Sequence, residues 1–307
     1  MTSPTLNAAQ TAAVLPFADL VPAVALAAQE LAVGTITAPE RLVVPIDADS
    51  VLLCMPATAD DLSVTKIITV HARNSQLGLP VIQGEVIVME TSTGRRLLQL
   101  DGPTVTARRT AAVSMLGIQA LLGRKPTRAL LIGTGAQAQT HVTALVEFFG
   151  IGRIDVQGSS HRKAQLFCEA HRSRYPFVEF VPVNDMSTAL QSPLDVLIAL
   201  TTSRQPVIPE TLGPDVLAIG VGAFKPDMAE FGSGLLHSRP IVVDCIHGAQ
   251  HEAGDLLRAG VDWQAVRSLA SQLPLRAPAS PMPVLKTVGQ AAWDLAAARV
   301  ALKHLRR

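Results

Sequence analysis

The chain has 307 residues, of which 48% are hydrophobic and 17% are charged. Since a single core rarely keeps growing beyond roughly 250–300 residues, we expect two packed units rather than a disordered or fibrous chain. The 26 basic and 25 acidic residues are scattered and leave a formal charge of +1, which excludes nucleic-acid and membrane-surface partners and favours a small-molecule ligand.

The N-terminal part contains an apolar, alanine-rich segment around Val21 to Ala28. It lacks the basic region of a signal peptide and is too short to span a bilayer, so we interpret it as an amphipathic helix. Cys54, Cys168 and Cys245 have neither the spacing of a disulfide framework nor that of a zinc site. We therefore expect buried thiols, no metal ion and a cytoplasmic protein.

Runs of β-branched residues broken by Pro and Gly follow at residues 40–53 and 81–100. This pattern predicts an antiparallel, strand-rich first region. From Ala111 to Leu122 the pattern becomes helical, and Gly123 and Pro126 end it. We expect this helix to lead into a second domain.

From Arg128 onward, short apolar strands alternate with helical stretches, as in a parallel sheet covered by helices on both faces. The last segment, Val284 to Leu305, follows a Pro-rich stretch from Pro274 to Pro283 and is predicted to be helical and to return to the first domain. The predicted strands are Ala129–Ile132, Ile154–Gln157, Val178–Val181, Val196–Leu200, Val216–Val221 and Ile241–Asp244.

The first of these strands runs into the turn Gly133-Thr134-Gly135-Ala136-Gln137-Ala138. In a G-x-G-x-x-A fingerprint the first Gly permits a tight turn, the second lets the backbone approach a pyrophosphate, and the third small residue allows close packing. Alone, the pattern also fits an ordinary glycine turn. Its context favours dinucleotide binding, and we assign Gly133, Gly135, Ala136 and Gln137 to the cofactor site.

The second strand of the region indicates which dinucleotide is bound. An NAD-specific site usually has an Asp or Glu at the tip of this strand. Here the tip carries Ser159, Ser160 and Arg162 instead, which suit a 2′-phosphate. We therefore expect NADPH to be preferred, with NADH as a weaker cofactor. The alternative is that Arg162 and Lys163 are only the solvated first turn of a helix.

Further motifs cover nearly the whole chain in a consistent order. They resemble the pattern of the ornithine cyclodeaminase and mu-crystallin family, which also includes related alanine dehydrogenases. The matching elements are Arg41 with Pro45, Lys66, Asn74, Gly78-Leu79-Pro80, Asp101-Gly102, Thr106 to Ala112, Thr201-Thr202-Ser203, Pro226 with Glu230, and Lys286 to Gly289 with Asp294.

The resemblance implies roles for the polar residues of these motifs. Arg41 and Arg109 would bind a substrate carboxylate, since a guanidinium can make two parallel hydrogen bonds to it. Lys66 would lie beside the reacting carbon and nitrogen, with a pKa lowered by burial and neighbouring cations. Thr201 and Thr202 would belong to the cofactor site. The alternative for the three cations is an ordinary surface salt bridge.

One position departs from the cyclodeaminase branch. That branch has an acid–base Asp where this chain has Phe224, and a phenyl ring cannot exchange protons. The chain is therefore more similar to the ketimine reductase branch, which includes mu-crystallin and bacterial reductases of cyclic imino acids. A shifted alignment would instead give the role to Asp227. His71, His141 and His247 receive no catalytic role.

These observations predict an α/β fold. It comprises a Rossmann-like NADP(H)-binding domain at residues 116–284 and a strand-rich substrate and dimerisation domain formed by residues 1–115 and 285–307. The expected protein is a homodimeric reductase that converts Δ1-pyrroline-2-carboxylate to proline or Δ1-piperideine-2-carboxylate to pipecolate with NADPH. Ornithine cyclodeamination, alanine dehydrogenation and a crystallin-like nucleotide-binding role without turnover are the alternatives.

Overall fold

A computed structural model describes residues 3–273 and 279–306, apart from the side chain of Ser75. The chain forms two compact units. One contains both chain ends, up to Ala112 and from Gln290, and the other spans Val113–Gly289. Part of the Pro-rich stretch noted at Pro274 to Pro283 lies outside the described residues.

The regular elements are numbered in chain order. The helices are α1 (Ala8–Ala13), α2 (Phe17–Ala32), α3 (Gly102–Leu122), α4 (Ala136–Ala144), α5 (His161–Arg174), α6 (Met186–Ala189), α7 (Ser233–Ser238), α8 (Ile246–Glu252), α9 (Gly254–Ala259), α10 (Leu269–Gln272) and α11 (Ala291–Leu305). The strands are β1 (Leu42–Asp47), β2 (Ser50–Thr58), β3 (Leu62–His71), β4 (Ile82–Glu90), β5 (Arg96–Asp101), β6 (Arg128–Ile132), β7 (Arg153–Gln157), β8 (Glu179–Pro182), β9 (Val196–Ala199), β10 (Leu217–Gly220), β11 (Ile241–Val243), β12 (Arg267–Ser268) and β13 (Val284–Lys286).

The unit of the chain ends is built on an antiparallel sheet with the order β1-β2-β3-β4-β5. Buried and more exposed residues alternate along β2 and β3, as expected for a sheet with one face on a core. The helix α11 packs against these two strands and beside α2. The antiparallel, strand-rich first region predicted from the sequence is therefore confirmed.

The apolar N-terminal segment is helical, as predicted, and forms the middle of α2. One face of this helix is buried, so it contributes to the core of the unit. Its buried residues are Phe17, Leu20, Val21, Val24, Ala27 and Ala28. In the described chain no helix combines the length and apolarity needed to cross a membrane.

The Val113–Gly289 unit contains a parallel sheet with the order β12-β11-β13-β10-β9-β6-β7-β8. Each strand predicted from Arg128 onward is present, with bounds that differ by a residue or two. The order reverses at β6, which has β7 on one side and β9 on the other. This is the doubly wound arrangement of a Rossmann-like fold, so the predicted fold class is confirmed.

The prediction for the last segment was wrong in its first part. Val284–Lys286 is the strand β13 and lies between β10 and β11, and the helix begins only at Ala291. A buried run of three residues gives too short a pattern to separate a strand from a helix.

The helix α3 begins earlier than its predicted start at Ala111. Its first residue is Gly102, and the carboxylate of Asp101 accepts hydrogen bonds from the N–H and the hydroxyl of Thr104 at 2.8 and 2.6 Å. This is an N-cap interaction, which stabilises a helix start without any apolar periodicity. The boundary between the units falls within α3, after Ala112.

Candidate active site

Lys66 lies in the core of the chain-end unit. On β3 it shares the buried register with Val64 and Ile68, and its side chain is 1% exposed. Because a buried charge is costly unless it is paired, an ammonium in this position requires a partner.

Asp294, in the first turn of α11, is that partner. Its Oδ2 atom lies 2.9 Å from Lys66 Nζ, and its Oδ1 atom lies 3.4 Å from Arg109 Nε on α3. The carboxylate is fully buried, and the N-terminus of α11 favours a negative charge there. One carboxylate therefore joins β3, α3 and α11.

The environment of Lys66 makes its proton mobile near neutral pH. Burial lowers its pKa from the ordinary value to about 8, and the positive charges of Arg109 and Arg41 also lower it. The carboxylate of Asp294 opposes these effects and raises the pKa. Lys66 can therefore hold or release a proton at physiological pH.

Arg41 and Arg109 are two other cations near Lys66. Arg41 precedes β1 and is half-buried, whereas Arg109 is 5% exposed. The positive charge of each lowers the pKa of Lys66, so both lie near its ammonium group. The structure thus brings Arg41, Lys66 and Arg109 to one place, where a ligand carboxylate would be favoured by charge and by guanidinium geometry.

The glycine turn of the other unit follows β6 directly. Gly133 has a φ of +120°, and Gly135 is exposed at the N-cap of α4, which begins at Ala136. A Cβ atom at Gly135 would meet no other atom within 4 Å, so open space lies beside this backbone. The free N–H groups of the first turn of α4, which includes Gln137, suit a phosphate group.

The residues predicted to select the cofactor follow β7. Ser160 caps α5 by accepting a hydrogen bond from the Lys163 N–H at 3.3 Å, and Lys163 Nζ donates to Ser159 Oγ at 3.1 Å. Arg162 is exposed in the first turn of α5. Hydroxyl and cationic groups therefore lie together here, although their exposure also agrees with a solvated helix start.

Thr201 and Thr202 follow β9. Thr202 is exposed, whereas Thr201 is half-buried and donates its N–H and hydroxyl to Glu230 Oε1 at 2.7 and 3.1 Å. Glu230 belongs to a buried charged cluster, in which Lys286 Nζ lies 3.9 Å from Glu230 Oε2 and 3.2 Å from Asp255 Oδ2.

The histidine in the helix after the glycine turn has a structural environment. His141 is fully buried, with Nδ1 2.8 Å from the carbonyl oxygen of Gln137 and Nε2 2.9 Å from Ser114 Oγ. Burial lowers the pKa of His141 to about 4, so the ring is neutral at pH 7. His71 is half-buried at the end of β3, and His247 is exposed in α8.

Phe224, which stands where the cyclodeaminase branch has its acid–base Asp, follows β10. It is half-buried. Asp227 is exposed and forms a surface ion pair with Arg204, with 3.4 Å between Oδ2 and Nε. An exposed ion pair of this kind is typical of a solvated surface position.

Asp294, Glu230 and Lys286 belong to the family pattern but carry no predicted role, although each lies in a buried cluster. A signal was available in the sequence. Asp294 interrupts the alanine-rich helix α11, and Lys286 ends the apolar run of β13. A charge within a segment that is buried on all sides must be paired. Sequence alone does not show with which residue.

Comparisons with known proteins identify the family of the chain. The model of the Ornithine cyclodeaminase/mu-crystallin family matches residues 5–306. A Δ1-pyrroline-2-carboxylate/Δ1-piperideine-2-carboxylate reductase from Azospirillum brasilense is 47% identical over 298 residues, covering 97% of this chain and 94% of the relative. The ketimine reductase mu-crystallin of Mus musculus is 28% identical over 271 residues, covering 87% and 85%.

Solved structures share the fold. The Δ1-pyrroline-2-carboxylate reductase of Thermococcus litoralis, solved with NADH and L-proline, superposes with a TM-score of 0.88 at 24% identity and covers 98% of both chains. The family model spans nearly the whole chain, including the Lys66 cluster and the glycine turn, and this protein belongs to the ornithine cyclodeaminase/mu-crystallin family.

Proposed function

We propose that this protein is a nicotinamide-dependent reductase of cyclic 2-imino acids, with Δ1-pyrroline-2-carboxylate and Δ1-piperideine-2-carboxylate as substrates and proline and pipecolate as products. The observation that carries the proposal is the buried cluster of Lys66, Arg109 and Asp294, in which an ammonium and a guanidinium, both suited to a small carboxylate ligand, lie beside one carboxylate. The activity of the Azospirillum brasilense relative, 47% identical, supports it.

The chain's own residues position and protonate the substrate. Arg41 and Arg109 bind its carboxylate, and Lys66 keeps the imine nitrogen protonated. Protonation matters because an iminium carbon accepts hydride far more readily than a neutral imine carbon. Asp294 holds Lys66 and Arg109 in place and favours the charged form of the lysine. The nicotinamide cofactor, when bound, supplies the hydride.

The cofactor is held by the Val113–Gly289 unit. Gly133, Gly135, Ala136 and Gln137 bind the pyrophosphate with backbone N–H groups, and the open space beside Gly135 fits that role. The remaining contacts come from residues after β7 and β9. These are Ser159, Ser160, Arg162, Thr201 and Thr202.

The protein is further proposed to act as a homodimer in the cytoplasm. The edge strand β1 is exposed along its whole length, and its apolar residues Leu42 and Ile46 are 60% and 50% exposed. A long apolar edge strand is an aggregation hazard unless it is covered, and a second copy of the chain is the simplest cover. The unbridged thiols of Cys54 and Cys168 suit a reducing compartment.

The reaction class is tested by supplying Δ1-pyrroline-2-carboxylate and L-ornithine separately to the same preparation. We expect NADPH oxidation with the imine and no ammonia release from ornithine with NAD⁺, because cyclodeamination needs a positioned acid–base group where Phe224 stands. Absorbance at the nicotinamide band and an ammonia assay provide the measurements. Ammonia release without imine reduction would overturn the proposal and point to Asp227.

The cofactor preference is tested by steady-state kinetics. NADPH is expected to give a higher kcat/KM than NADH, and Arg162→Ala should lower kcat/KM for NADPH about tenfold by removing one charged contact to the 2′-phosphate, with little effect on NADH. Arg95→Ala, which removes a surface partner of Glu90 in the unit of the chain ends, is the control and should change neither value. Equal efficiency of both cofactors in the unmodified protein would contradict the proposal.

Arg109→Ala tests carboxylate binding. Removal of one partner from a buried charged pair costs a few kcal/mol, so kcat/KM for the imino acid should fall about 100-fold or more. Cofactor affinity, measured by fluorescence titration, should stay within about twofold of the unmodified value, since Arg109 lies in the other unit. Loss of cofactor affinity together with activity would instead make Arg109 a structural residue.

The proton on Lys66 should appear in the pH profile. The cationic form is the active one, so kcat/KM should fall as pH rises through about 8. Asp294→Asn removes the carboxylate that raises the Lys66 pKa, so the fall should move to lower pH. Asp61→Asn, which removes a surface partner of Arg299, is the control and should leave the profile unchanged. A profile that stays flat to pH 10 would exclude Lys66 as the ionising group.

A further inference from the structure

The strand order of the Val113–Gly289 unit determines where each half of a dinucleotide must lie. The glycine turn follows β6, and the residues that meet the adenosine ribose follow β7. Because the order reverses at β6, the other half of the cofactor extends over the carboxyl ends of β9 and β10. The loops after these two strands therefore face the nicotinamide half.

A single buried side chain holds both loops. Glu230 Oε1 accepts the N–H and the hydroxyl of Thr201, after β9, at 2.7 and 3.1 Å. Its Oε2 atom accepts the N–H groups of Gly222 and Ala223, after β10, at 2.8 and 3.1 Å. Glu230 is fully buried, the bond from Ala223 is buried, and the bonds from Thr201 and Gly222 are partly buried. The Glu230 carboxylate therefore bridges the loops after β9 and β10.

The backbone bonded to Glu230 also lies close to two glycines. A Cβ atom at Gly222 would lie 2.0 Å from the carbonyl oxygen of Thr201, and one at Gly133 would lie 2.7 Å from the carbonyl oxygen of Leu200. The segment Leu200–Thr201 therefore passes so close to Gly133 and Gly222 that neither position has room for a side chain. A small displacement of either loop would move the other.

The charge of the Glu230 carboxylate is partly compensated by Lys286. Burial raises the pKa of Glu230 above its ordinary value, and the cation of Lys286 and the N–H groups of Thr201 and Ala223 offset only part of this effect. Lys286 ends β13, the next strand after β10, and is shared with Asp255. Asp255 in turn accepts the N–H of Glu230 at 3.3 Å. The four donated hydrogen bonds favour an ionised Glu230, since a carboxylate is an acceptor only.

We propose that Glu230 is a positioning residue for the nicotinamide half of the cofactor, which sets the loops after β9 and β10 by bridging Thr201 with Gly222 and Ala223. This inference rests on the proposed function, since it assumes that the unit binds a nicotinamide dinucleotide. Glu230 itself does not touch the reacting atoms. Its effect on the cofactor passes through the backbone that it holds.

Glu230→Gln is the informative substitution. An amide keeps the size of the side chain but presents donors at one end, so it can bridge to only one of the two loops. Asp195→Asn is the matched control. Asp195 precedes β9 and accepts hydrogen bonds from the N–H and hydroxyl of Thr127 and from the N–H of Arg128. These residues lie at the amino ends of β6 and β9, whereas Glu230 bonds to loops at the carboxyl ends of the strands. Both variants are expected to lower Tm.

The readout is calorimetric titration with NADPH and with 2′-phospho-ADP-ribose, which lacks the nicotinamide. Glu230→Gln should raise the Kd for NADPH about tenfold and leave the Kd for the fragment within about twofold of the unmodified value. Asp195→Asn should change neither Kd. Equal weakening of both ligands by Glu230→Gln, or no change in either, would overturn the proposal.

Two further outcomes are distinguishable. If Glu230→Gln does not fold, Glu230→Asp takes its place, since it keeps the charge but is too short to reach both loops. It should weaken the binding of NADPH and not that of the fragment. The opposite result would contradict the bridging role of Glu230. If the unmodified protein binds neither these ligands nor NADH, the proposed function fails. If it binds both and the variants behave alike, only the role of Glu230 fails.

Discussion

The structure of the chain-end unit depends on the pairing of one buried ammonium. Lys66 lies in the core-facing register of β3, where an unpaired charge would strongly destabilise the fold. Its carboxylate partner, Asp294, is in the helix near the end of the chain. The two chain ends therefore have to meet in one unit, and α11 has to approach the sheet with its first turn towards β3.

The same principle shapes the other unit. Lys286 is buried at the carboxyl end of β13 and is paired with Asp255 and Glu230. Insertion of β13 between β10 and β11 places this cation beneath the loops that follow β9 and β10. In both units a buried lysine on a strand organises carboxylates from distant parts of the sequence, and in both the surrounding backbone is expected to contact a ligand.

Local signals explain what could be predicted from the sequence. The strand before Gly133, the glycine turn and the helix after it are all determined by neighbouring residues, and all are present. The start of α3 depends on the Asp101 cap, and β13 is too short to show a period. The pairing of Lys66 with Asp294, and of Glu230 with Thr201 and Gly222, joins segments far apart in the chain, so no local pattern could reveal it.

Charge also bears on the choice between the family's reactions. In the proposed reaction a cyclic imino acid would bring one carboxylate to the cations Lys66 and Arg109, which lie beside Asp294. Ornithine brings an additional ammonium group, which would have to be desolvated among cations. Phe224 carries no charge, and Asp227 forms an ion pair with Arg204 at the surface. The cations Lys66 and Arg109 therefore disfavour a ligand with a second ammonium group and favour an uncharged ring.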